Sequence, residues 1–317
     1  MNAVIFGGTG FIGQHLARWL VANGMSSVLL ADIVPPSQAL PNEIRFTKCD
    51  VRNPITLESP AKPIVYNLAA VHRTPGHADH EYFDTNVAGA RNVVDFCVRS
   101  GAARVTFTSS ISVYGPSESP ITESTLPQPS TAYGSSKLEA EHIHTAWSQQ
   151  ASNRRLVIVR PGTIFGPGEG GNFTRLASTI ARRRFVYPGR RDTVKACGYI
   201  VDLLESLRFA ETFALPTVTY NFGFPQPPTI EEVCRAFASV GRFPTPRFTI
   251  PTSLMLAAAK TLVMFGASDY NPERVLKLVR STYVVPELLL NMRYPYCFDL
   301  ESAFADWYQS EPVGKFV

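Results

Sequence analysis

Cysteine is scarce in this 317-residue chain, and its five copies stand far apart with no CxxC pair: Cys49, Cys97, Cys197, Cys234 and Cys297. An odd and scattered set of thiols argues against a disulfide framework and against a cysteine-ligated zinc site. We therefore expect no metal and a reducing, cytoplasmic location.

A strong charge imbalance is also lacking. The net charge of +4 and the pI of about 8.8 are too mild to indicate a nucleic-acid partner. Positive residues do cluster in one stretch, for which a solvated helix end and a clamp for a diphosphate both stay open. The cluster comprises Arg182, Arg183, Arg184, Arg190, Arg191 and Lys195.

The start of the chain, MNAVIFGGTG, lacks the basic flank and the small-residue cleavage site of a signal peptide, so we interpret it as a buried first strand. Further short β-branched runs follow: SVLLAD, EIRFTK, PIVYNLAA, ARVTFTSS and LVIVRPG. Helical patterns separate the later runs, at residues 80–100 and 131–150. This alternation predicts an α/β protein with a Rossmann-type, doubly wound parallel sheet.

The pattern loosens after Pro161, where a glycine-rich loop and many prolines appear. We predict an NAD-binding domain over residues 1–165, joined by a returning segment near 195–223 that adds one more strand. The remaining residues, 166–194 and 224–317, then form a smaller substrate-binding lobe.

GGTGFIG lies between the first strand and the first helix. Glycine suits this turn because it adopts positive φ and lets a pyrophosphate approach the N–H groups at the start of the helix. With Asp32 at the end of the next strand, the pattern predicts a dinucleotide site formed by Gly7, Gly10, Phe11, Ile12 and Gly13.

Two acidic residues refine that site. Asp32 can accept hydrogen bonds from both ribose hydroxyls and would repel a 2′-phosphate, which favours NAD over NADP. Asp50, followed by Val51 after the third strand, is placed to reach the adenine amine; a simple turn cap is the alternative.

YGSSK puts Tyr133 and Lys137 on one face of a helix. A phenol with a reference pKa of ~10 is a poor base at neutral pH, but an adjacent ammonium and a positive nicotinamide ring both favour the phenolate. Such a phenolate can take a proton from a carbinol. Ser110 ends a strand in FTSSISVYG and can hydrogen-bond the same substrate oxygen.

These motifs together resemble the extended short-chain dehydrogenase/reductase family, in particular its NAD-dependent sugar epimerases and dehydratases. GGTGFIG, NLAAVH, TNVAGARN, TSSISVYG, YGSSK and RPGTIFGPG occur in the family's order along nearly the whole chain. The resemblance implies that Ser110, Tyr133 and Lys137 form the catalytic triad. It also implies that the cofactor is lined by Leu68, Ala69, Ala70, Asn86, Ser109 and Pro161, together with the residues named above.

The resemblance also narrows the reaction. Family members that are 4,6-dehydratases carry Asp and Glu directly after the catalytic hydroxyl residue, where this chain has Ile111 and Ser112. Family epimerase-reductases that work at C3 and C5 place a cysteine near that hydroxyl, and this chain has none there. A 4-epimerisation is therefore favoured; a C4-ketoreductase or sugar dehydrogenase and a hydroxysteroid-type dehydrogenase stay open.

On the substrate side the chain most resembles undecaprenyl-diphospho-N-acetylglucosamine 4-epimerases and UDP-sugar 4-epimerases. That resemblance implies that Asn172, Tyr187 and Lys195 face a sugar diphosphate and that His72 lies over the nicotinamide. Thr163 replaces the usual asparagine of UDP-hexose epimerases. The exact sugar and its carrier, nucleotide or polyprenyl, stay open.

The stretch IPTSLMLAAAKTLVMFG at 250–266 is apolar but too short to span a bilayer. A core helix of the small lobe and a peripheral contact with the inner face of the membrane are both consistent with it. Family habit implies a homodimer formed through the helices that flank the sheet.

Overall fold

Short buried strands alternate with longer helices in the first two thirds of the chain, and this alternation sets the architecture. A computed structural model describes residues 1–58, 61–74, 76–264, 272–310 and 316. Its contacts divide the chain into two compact units. Unit 1 comprises Met1–Gly115, Thr125–Pro161 and Leu203–Asn221; unit 2 comprises Pro116–Ser124, Gly162–Asp202 and Phe222–Val317.

These units differ from the predicted domains in four segments, and two of them, residues 162–165 and 222–223, belong to unit 2 although they were predicted in the NAD-binding part. Pro116–Ser124 was expected in the NAD-binding domain but belongs to unit 2, because the strand at Ser117–Ile121 pairs with the strand at Thr282–Val284. The returning segment begins at Leu203 rather than near 195, because residues 197–199 pair with residues 163–165 inside unit 2. Neither pairing is visible in local sequence, since both join segments far apart along the chain.

Unit 1 is built on a seven-stranded parallel sheet in the order β3-β2-β1-β4-β5-β7-β11. Its strands are β1 (Asn2–Phe6), β2 (Ser27–Asp32), β3 (Ile44–Lys48), β4 (Ile64–Asn67), β5 (Arg104–Thr108), β7 (Arg155–Pro161) and β11 (Thr217–Phe222). The order reverses beside β1, and ligands of such sheets bind beyond the strand ends at this switch point. The predicted Rossmann-type sheet is confirmed.

Helices cover this sheet: α1 (Phe11–Ala22), α2 (Asp79–Tyr82) with a π-helical turn (Phe83–Ala88), α3 (Gly89–Ser100), a 3-10 turn (Ile111–Val113), α4 (Ala132–Gln149) and α6 (Ile200–Glu211). The core between sheet and helices is apolar, and Phe6, Phe96 and Phe107 in it are almost completely buried. Burying such side chains contributes roughly 1.5–3 kcal/mol each. This core fixes the strand ends on which the site residues sit.

Unit 2 contains three two-stranded parallel sheets. They pair β6 (Ser117–Ile121) with β13 (Thr282–Val284), β8 (Thr163–Phe165) with β10 (Cys197–Tyr199), and β9 (Tyr187–Pro188) with β12 (Thr249–Ile250). Its helices are α5 (Asn172–Ala181), α7 (Ile230–Gly241), α8 (Thr252–Met264), α9 (Pro272–Val279), α10 (Glu287–Asn291) and α11 (Leu300–Ser310). An aromatic core of Phe165, Phe173, Phe237, Phe304 and Trp307 holds them together.

Candidate active site

Two hydroxyl side chains meet beyond the end of β5, and a buried amine lies one helical turn from one of them. Ser110 follows that strand and caps the 3-10 turn, its Oγ accepting a hydrogen bond from the Ser112 N–H at 3.1 Å. Tyr133 and Lys137 lie in the first turns of α4, which begins after Thr131 accepts from the Gly134 N–H at 3.1 Å. The structure brings the Tyr133 and Ser110 hydroxyls next to each other.

Gly134 makes this approach feasible. A Cβ built on it would lie 2.3 Å from the Ser112 carbonyl oxygen and 3.0 Å from the Pro129 side chain. Because contacts that short do not occur, only glycine lets the start of α4 pack directly on the turn that carries Ser110. The glycine in YGSSK therefore has a packing role that the tyrosine-to-lysine spacing does not reveal.

The electrostatics of the pair differ in part from the sequence-based expectation. Burial raises the pKa of Tyr133, and the Ser110 hydroxyl opposes that rise. Burial lowers the pKa of Lys137 to about 7, with the Glu141 carboxylate acting the other way. Its Nζ lies 4.3 Å from the centre of the Phe107 ring, a cation–π contact. The spacing of Tyr133 and Lys137 led us to expect a lowered pKa for Tyr133, but in the protein without its cofactor this pKa is raised.

A buried network supports the strand end behind Ser110. Glu141, one helical turn after Lys137, accepts two hydrogen bonds from the Arg160 guanidinium at 2.8 and 2.6 Å and one from the Ser109 hydroxyl at 2.5 Å. Arg160 also donates to the Tyr114 hydroxyl at 2.7 Å, and that hydroxyl donates to Asn221 at 3.0 Å. Helix α4 and strands β5, β7 and β11 are thereby tied together at the level of the site.

A second buried pair was missed by sequence reasoning. The Nδ1–H of His144 donates to the Ala140 carbonyl at 2.7 Å, so its Nε2 accepts from the Asn67 amide at 3.2 Å. The His144 ring stacks on Phe107 with centroids 4.3 Å apart, and burial lowers its pKa to about 4. A neutral His144 therefore packs beneath the ring that faces Lys137. In the sequence, the one sign of this role was that His144 falls on the buried face of the predicted helix.

The glycine-rich turn has the shape that a dinucleotide needs. Gly7 has φ +73°, and a Cβ on it would lie 2.6 Å from the Ala69 nitrogen. A Cβ on Gly13 would lie 2.7 Å from the carbonyl oxygens of Gly7 and Gly8, so α1 packs closely on the turn. Gly10 caps α1 without a side chain, and Phe11 and Ile12 open the helix, leaving its first N–H groups accessible to a phosphate.

The two acidic residues of the predicted cofactor site are already organised. Asp32 Oδ2 accepts from the Thr9 N–H at 3.0 Å and Oδ1 from the Ile33 N–H at 2.7 Å, which joins the end of β2 to the glycine turn. Asp50 is held by Arg52 through its backbone N–H and its guanidinium, and this contact lowers the pKa of Asp50. The turn-cap role proposed as an alternative for Asp50 is present; its contact with adenine stays a prediction.

Asn86 organises the predicted cofactor-lining loop. Its Oδ1 accepts from the Val71 N–H at 3.0 Å, and its Nδ2 donates to the Val71 carbonyl and to the Ser136 hydroxyl. It thereby fixes the loop of Leu68, Ala69 and Ala70 to α4. The other predicted cofactor residues lie at strand ends: Val51 buried after β3, Ser109 after β5 and Pro161 closing β7.

His72 and Ser110 are the predicted substrate residues in unit 1. His72 is exposed at the end of its loop, and partial burial of its ring lowers its pKa. His72 follows the loop that Asn86 fixes, which keeps it on the same side of the sheet as the glycine turn.

The other predicted substrate residues lie in unit 2. Thr163 begins β8 and donates its N–H to the Ala196 carbonyl at 2.9 Å, while Asn172 is exposed at the start of α5. Tyr187 is fully buried, with its hydroxyl beside the Cys234 thiol. Lys195 donates to the carbonyls of Lys277 and Arg280 at 2.9 and 2.8 Å. Their contact with a sugar diphosphate stays a prediction.

The basic cluster splits into two groups. Arg190 pairs with Asp192 and Glu118, and Arg191 lies 3.4 Å from Glu231. Arg182, Arg183 and Arg184 are exposed and form no ion pair with a described residue. The solvated-helix-end interpretation fits this second group. Across the described ranges no group of histidine, cysteine or acidic side chains could hold a metal ion.

Residues 3–223, which include the glycine turn, Ser110, Tyr133 and Lys137, match the model of the NAD dependent epimerase/dehydratase family. The chain belongs to this family. Membership confirms the predicted resemblance, and it makes NAD the cofactor for which the glycine cradle and Asp32 are suited.

The relatives of this chain include enzymes named as 4-epimerases. The chain is 30% identical over 225 residues, 70% of its length, to N-acetyl-alpha-D-glucosaminyl-diphospho-ditrans,octacis-undecaprenol 4-epimerase of Escherichia coli O157:H7. The match spans 66% of that protein, just under two thirds of its length.

Solved structures of the family share the fold. The NAD dependent-NDP-hexosamine 5,6-dehydratase TunA, involved in tunicamycin biosynthesis, is similar with a TM-score of 0.74 and 25% identity, over 98% of this chain and 99% of that one. The UDP-glucose 4-epimerase of Thermus thermophilus, solved in complex with NAD, gives a TM-score of 0.74 at 21% identity over 97% of each chain.

A membrane-spanning segment is not found in the part of the chain that the structure describes, where no helix combines the length and the apolar character that crossing would need. Helix α8 covers most of the apolar stretch predicted at 250–266, and residues 265 and 266 lie outside the described ranges.

Proposed function

We propose that this chain is an NAD-dependent 4-epimerase of a hexose or N-acetylhexosamine carried on a diphosphate, either nucleotide-linked or polyprenyl-linked. The observation that carries the proposal is the juxtaposition of the Ser110 and Tyr133 hydroxyls, with buried Lys137 one turn further along α4 and no carboxylate on the turn that follows Ser110. Such a set can move one proton at one carbinol, which is the acid–base work that 4-epimerisation requires.

Each residue has a stated task in this proposal. Ser110 holds the reacting oxygen of the sugar by a hydrogen bond, and the Tyr133 hydroxyl exchanges the proton of that oxygen. Lys137 adds positive charge beneath the tyrosine when it is protonated, which favours the phenolate. NAD held by the glycine turn and Asp32 would supply the hydride acceptor that oxidation of this carbinol needs.

The cofactor residues fix this geometry. Asp32 is suited to the ribose hydroxyls because both of its oxygens are already oriented by backbone N–H groups. His72, Thr163, Asn172, Tyr187 and Lys195 remain the proposed contacts of the sugar diphosphate. The protein is further proposed to be a cytoplasmic homodimer joined through α3 and α4, which size-exclusion chromatography with light scattering tests.

The test begins with purified protein and no added cofactor. We expect NAD to be retained through purification, where absorbance and mass will detect it. We also expect the protein to convert UDP-linked or polyprenyl-diphosphate-linked N-acetylglucosamine to its C4 epimer without net formation of NADH. NADH that accumulates with substrate would instead indicate the dehydrogenase alternative. A 5,6-unsaturated product would show that a dehydration takes place despite the missing carboxylates.

Variants assign the chemistry. Tyr133→Phe is expected to lower turnover by at least ~100-fold, because it removes the proton-transfer group while the glycine cradle stays intact. Tyr66→Phe is the matched control: it removes a buried phenol hydroxyl from β4 of the same unit and should leave turnover unchanged. Equal activity of the two variants would refute the assigned role of Tyr133.

A further inference from the structure

Unit 2 carries an exposed apolar surface that the proposed active site does not use. Phe248 is 74% exposed and Leu254 is 61% exposed, although both are large apolar side chains. Along α8 the exposed side chains Leu254, Ala257, Ala258 and Thr261 recur at helical spacing and therefore share one face. None of these four described side chains is charged, whereas the outward face of a surface helix is normally polar.

Exposed arginines lie beside this surface. Arg182, Arg183 and Arg184 follow α5 and are all exposed, as is Arg247 next to Phe248. None of the four forms an ion pair with a described residue. Their charge is thus left for a partner of opposite sign.

Strand pairing makes the two groups neighbours. The Tyr187 N–H donates to the Phe248 carbonyl at 2.8 Å, and β9 runs parallel to β12. The residues before each strand therefore emerge at the same end, which places Arg184 beside Arg247 and Phe248. Arg191 holds this loop by donating to the Arg247 carbonyl and to Thr249. Helix α8 begins at Thr252, just past the other end of the two-residue strand β12, and Leu254 lies in its first turn, six residues after Phe248.

We propose that this arginine–apolar patch, formed by Arg182, Arg183, Arg184, Arg247, Phe248 and Leu254, binds the surface of an anionic lipid bilayer. Apolar side chains at a protein surface enter the boundary between headgroups and acyl chains, and arginines pair with headgroup phosphates. The combination of uncharged exposed side chains on α8 and unpaired arginines fits this partner better than an apolar protein groove, which would leave the four charges unmatched. The inference stands independently of the proposed reaction.

The test is sedimentation of the full chain with phosphatidylcholine vesicles, with and without phosphatidylglycerol. We expect binding only when phosphatidylglycerol is present, and weaker binding as salt is raised, because exposed charges are screened. Replacing Arg182, Arg183 and Arg184 by Gln should weaken binding about a hundredfold, since each arginine near an anionic surface contributes roughly a factor of five. The double variant Phe248→Ser with Leu254→Ser should weaken it at least tenfold at any salt concentration.

Matched controls come from unit 1. The triple variant of exposed Arg18, Arg45 and Lys62 to Gln and the single variant of exposed Leu126 to Ser should leave vesicle binding unchanged. Turnover of a soluble UDP-linked sugar should be the same for patch and control variants, so a negative result here leaves the proposed reaction standing.

Several results would overturn the proposal. The first is that the protein sediments with neither kind of vesicle. The second is that it binds neutral and anionic vesicles equally well, and the third is that patch and control variants lose the same amount of vesicle binding. A dimer that dissociates in the Phe248→Ser, Leu254→Ser variant without any vesicle binding would show instead that a second copy of the chain covers the patch.

Discussion

The two units bury carboxylates in different ways. In unit 1, Glu141 is held by side chains from distant segments, the Arg160 guanidinium and the Ser109 hydroxyl. In unit 2, Asp202 is 1% exposed and accepts from the backbone N–H groups of Cys297 and Phe298 at 2.9 and 3.2 Å. A network of side chains requires particular residues at each position, whereas backbone donors are available whatever residue carries them.

That difference agrees with the extent of the family match. The matched residues 3–223 include Glu141, Arg160 and Ser109, whereas Cys297 and Phe298 lie beyond them. The family match thus covers the side-chain network of unit 1 and Asp202 itself, but not the segment that supplies the two backbone donors of Asp202.

The largest effect is expected where the side-chain network is broken. Glu141→Ala removes the carboxylate that pairs with the buried Arg160 guanidinium and leaves it only the neutral Tyr114 hydroxyl among the described partners, which costs about 3–5 kcal/mol of unfolding free energy. Glu139→Ala on the same helix removes only the exposed partner of Arg91 and should cost under ~1 kcal/mol. Urea unfolding measures both, and similar costs would erase the contrast drawn between the units.

A buried charge in unit 1 should give the next largest effect. The pKa of Lys137 is about 7 in the folded chain and near 10.5 when unfolded, so the unfolded chain binds more protons between these values. The free energy of unfolding therefore decreases as the pH falls from 10.5, and the full decrease is reached below pH 7. Lys137→Met should remove the penalty and raise stability at pH 7 by roughly 2–4 kcal/mol.

The gain from Lys137→Met should shrink towards zero as the pH approaches 10.5, while turnover falls at every pH. Lys48→Met, at an exposed position, is the control and should change stability little at any pH. A gain that does not vary with pH would mean that packing, and not the buried charge, is responsible.

The smallest effect is expected in unit 2. Asp202→Asn keeps one acceptor oxygen but turns an NH₂ group towards the second backbone N–H, which costs about 1–3 kcal/mol. Cys297→Ala should cost less than ~0.5 kcal/mol, because the backbone N–H that Asp202 accepts from is unchanged. A large cost for Cys297→Ala in urea unfolding would show that side chains matter in unit 2 as they do in unit 1.

Local sequence was enough to predict the parallel sheet, the glycine turn and the juxtaposition of Ser110 with Tyr133. These features depend on residues close together in sequence or on strand ends that a parallel sheet must align. The place of Asp32 at the end of β2 followed in the same way, although its hydrogen bonds to Thr9 and Ile33 did not.

Features that join distant segments were not predictable. Glu141 and Arg160 gave no signal because either residue alone resembles a surface charge. The pairing of β6 with β13, which moves residues 116–124 into unit 2, joins segments more than 160 residues apart. Lys195 was expected at a diphosphate, and its present hydrogen bonds to carbonyls at the end of α9 depend on the fold of unit 2.

The closeness of Gly134 to the Ser112 carbonyl has a consequence for how this active site can evolve. The Ser110 and Tyr133 hydroxyls can lie close together because Gly134 has no Cβ, so that helix α4 packs directly on the turn after Ser110. Any side chain at that position would lift the first turn of the helix off its support and widen the gap across which the proton must pass. The reaction thus constrains a residue that never meets the sugar.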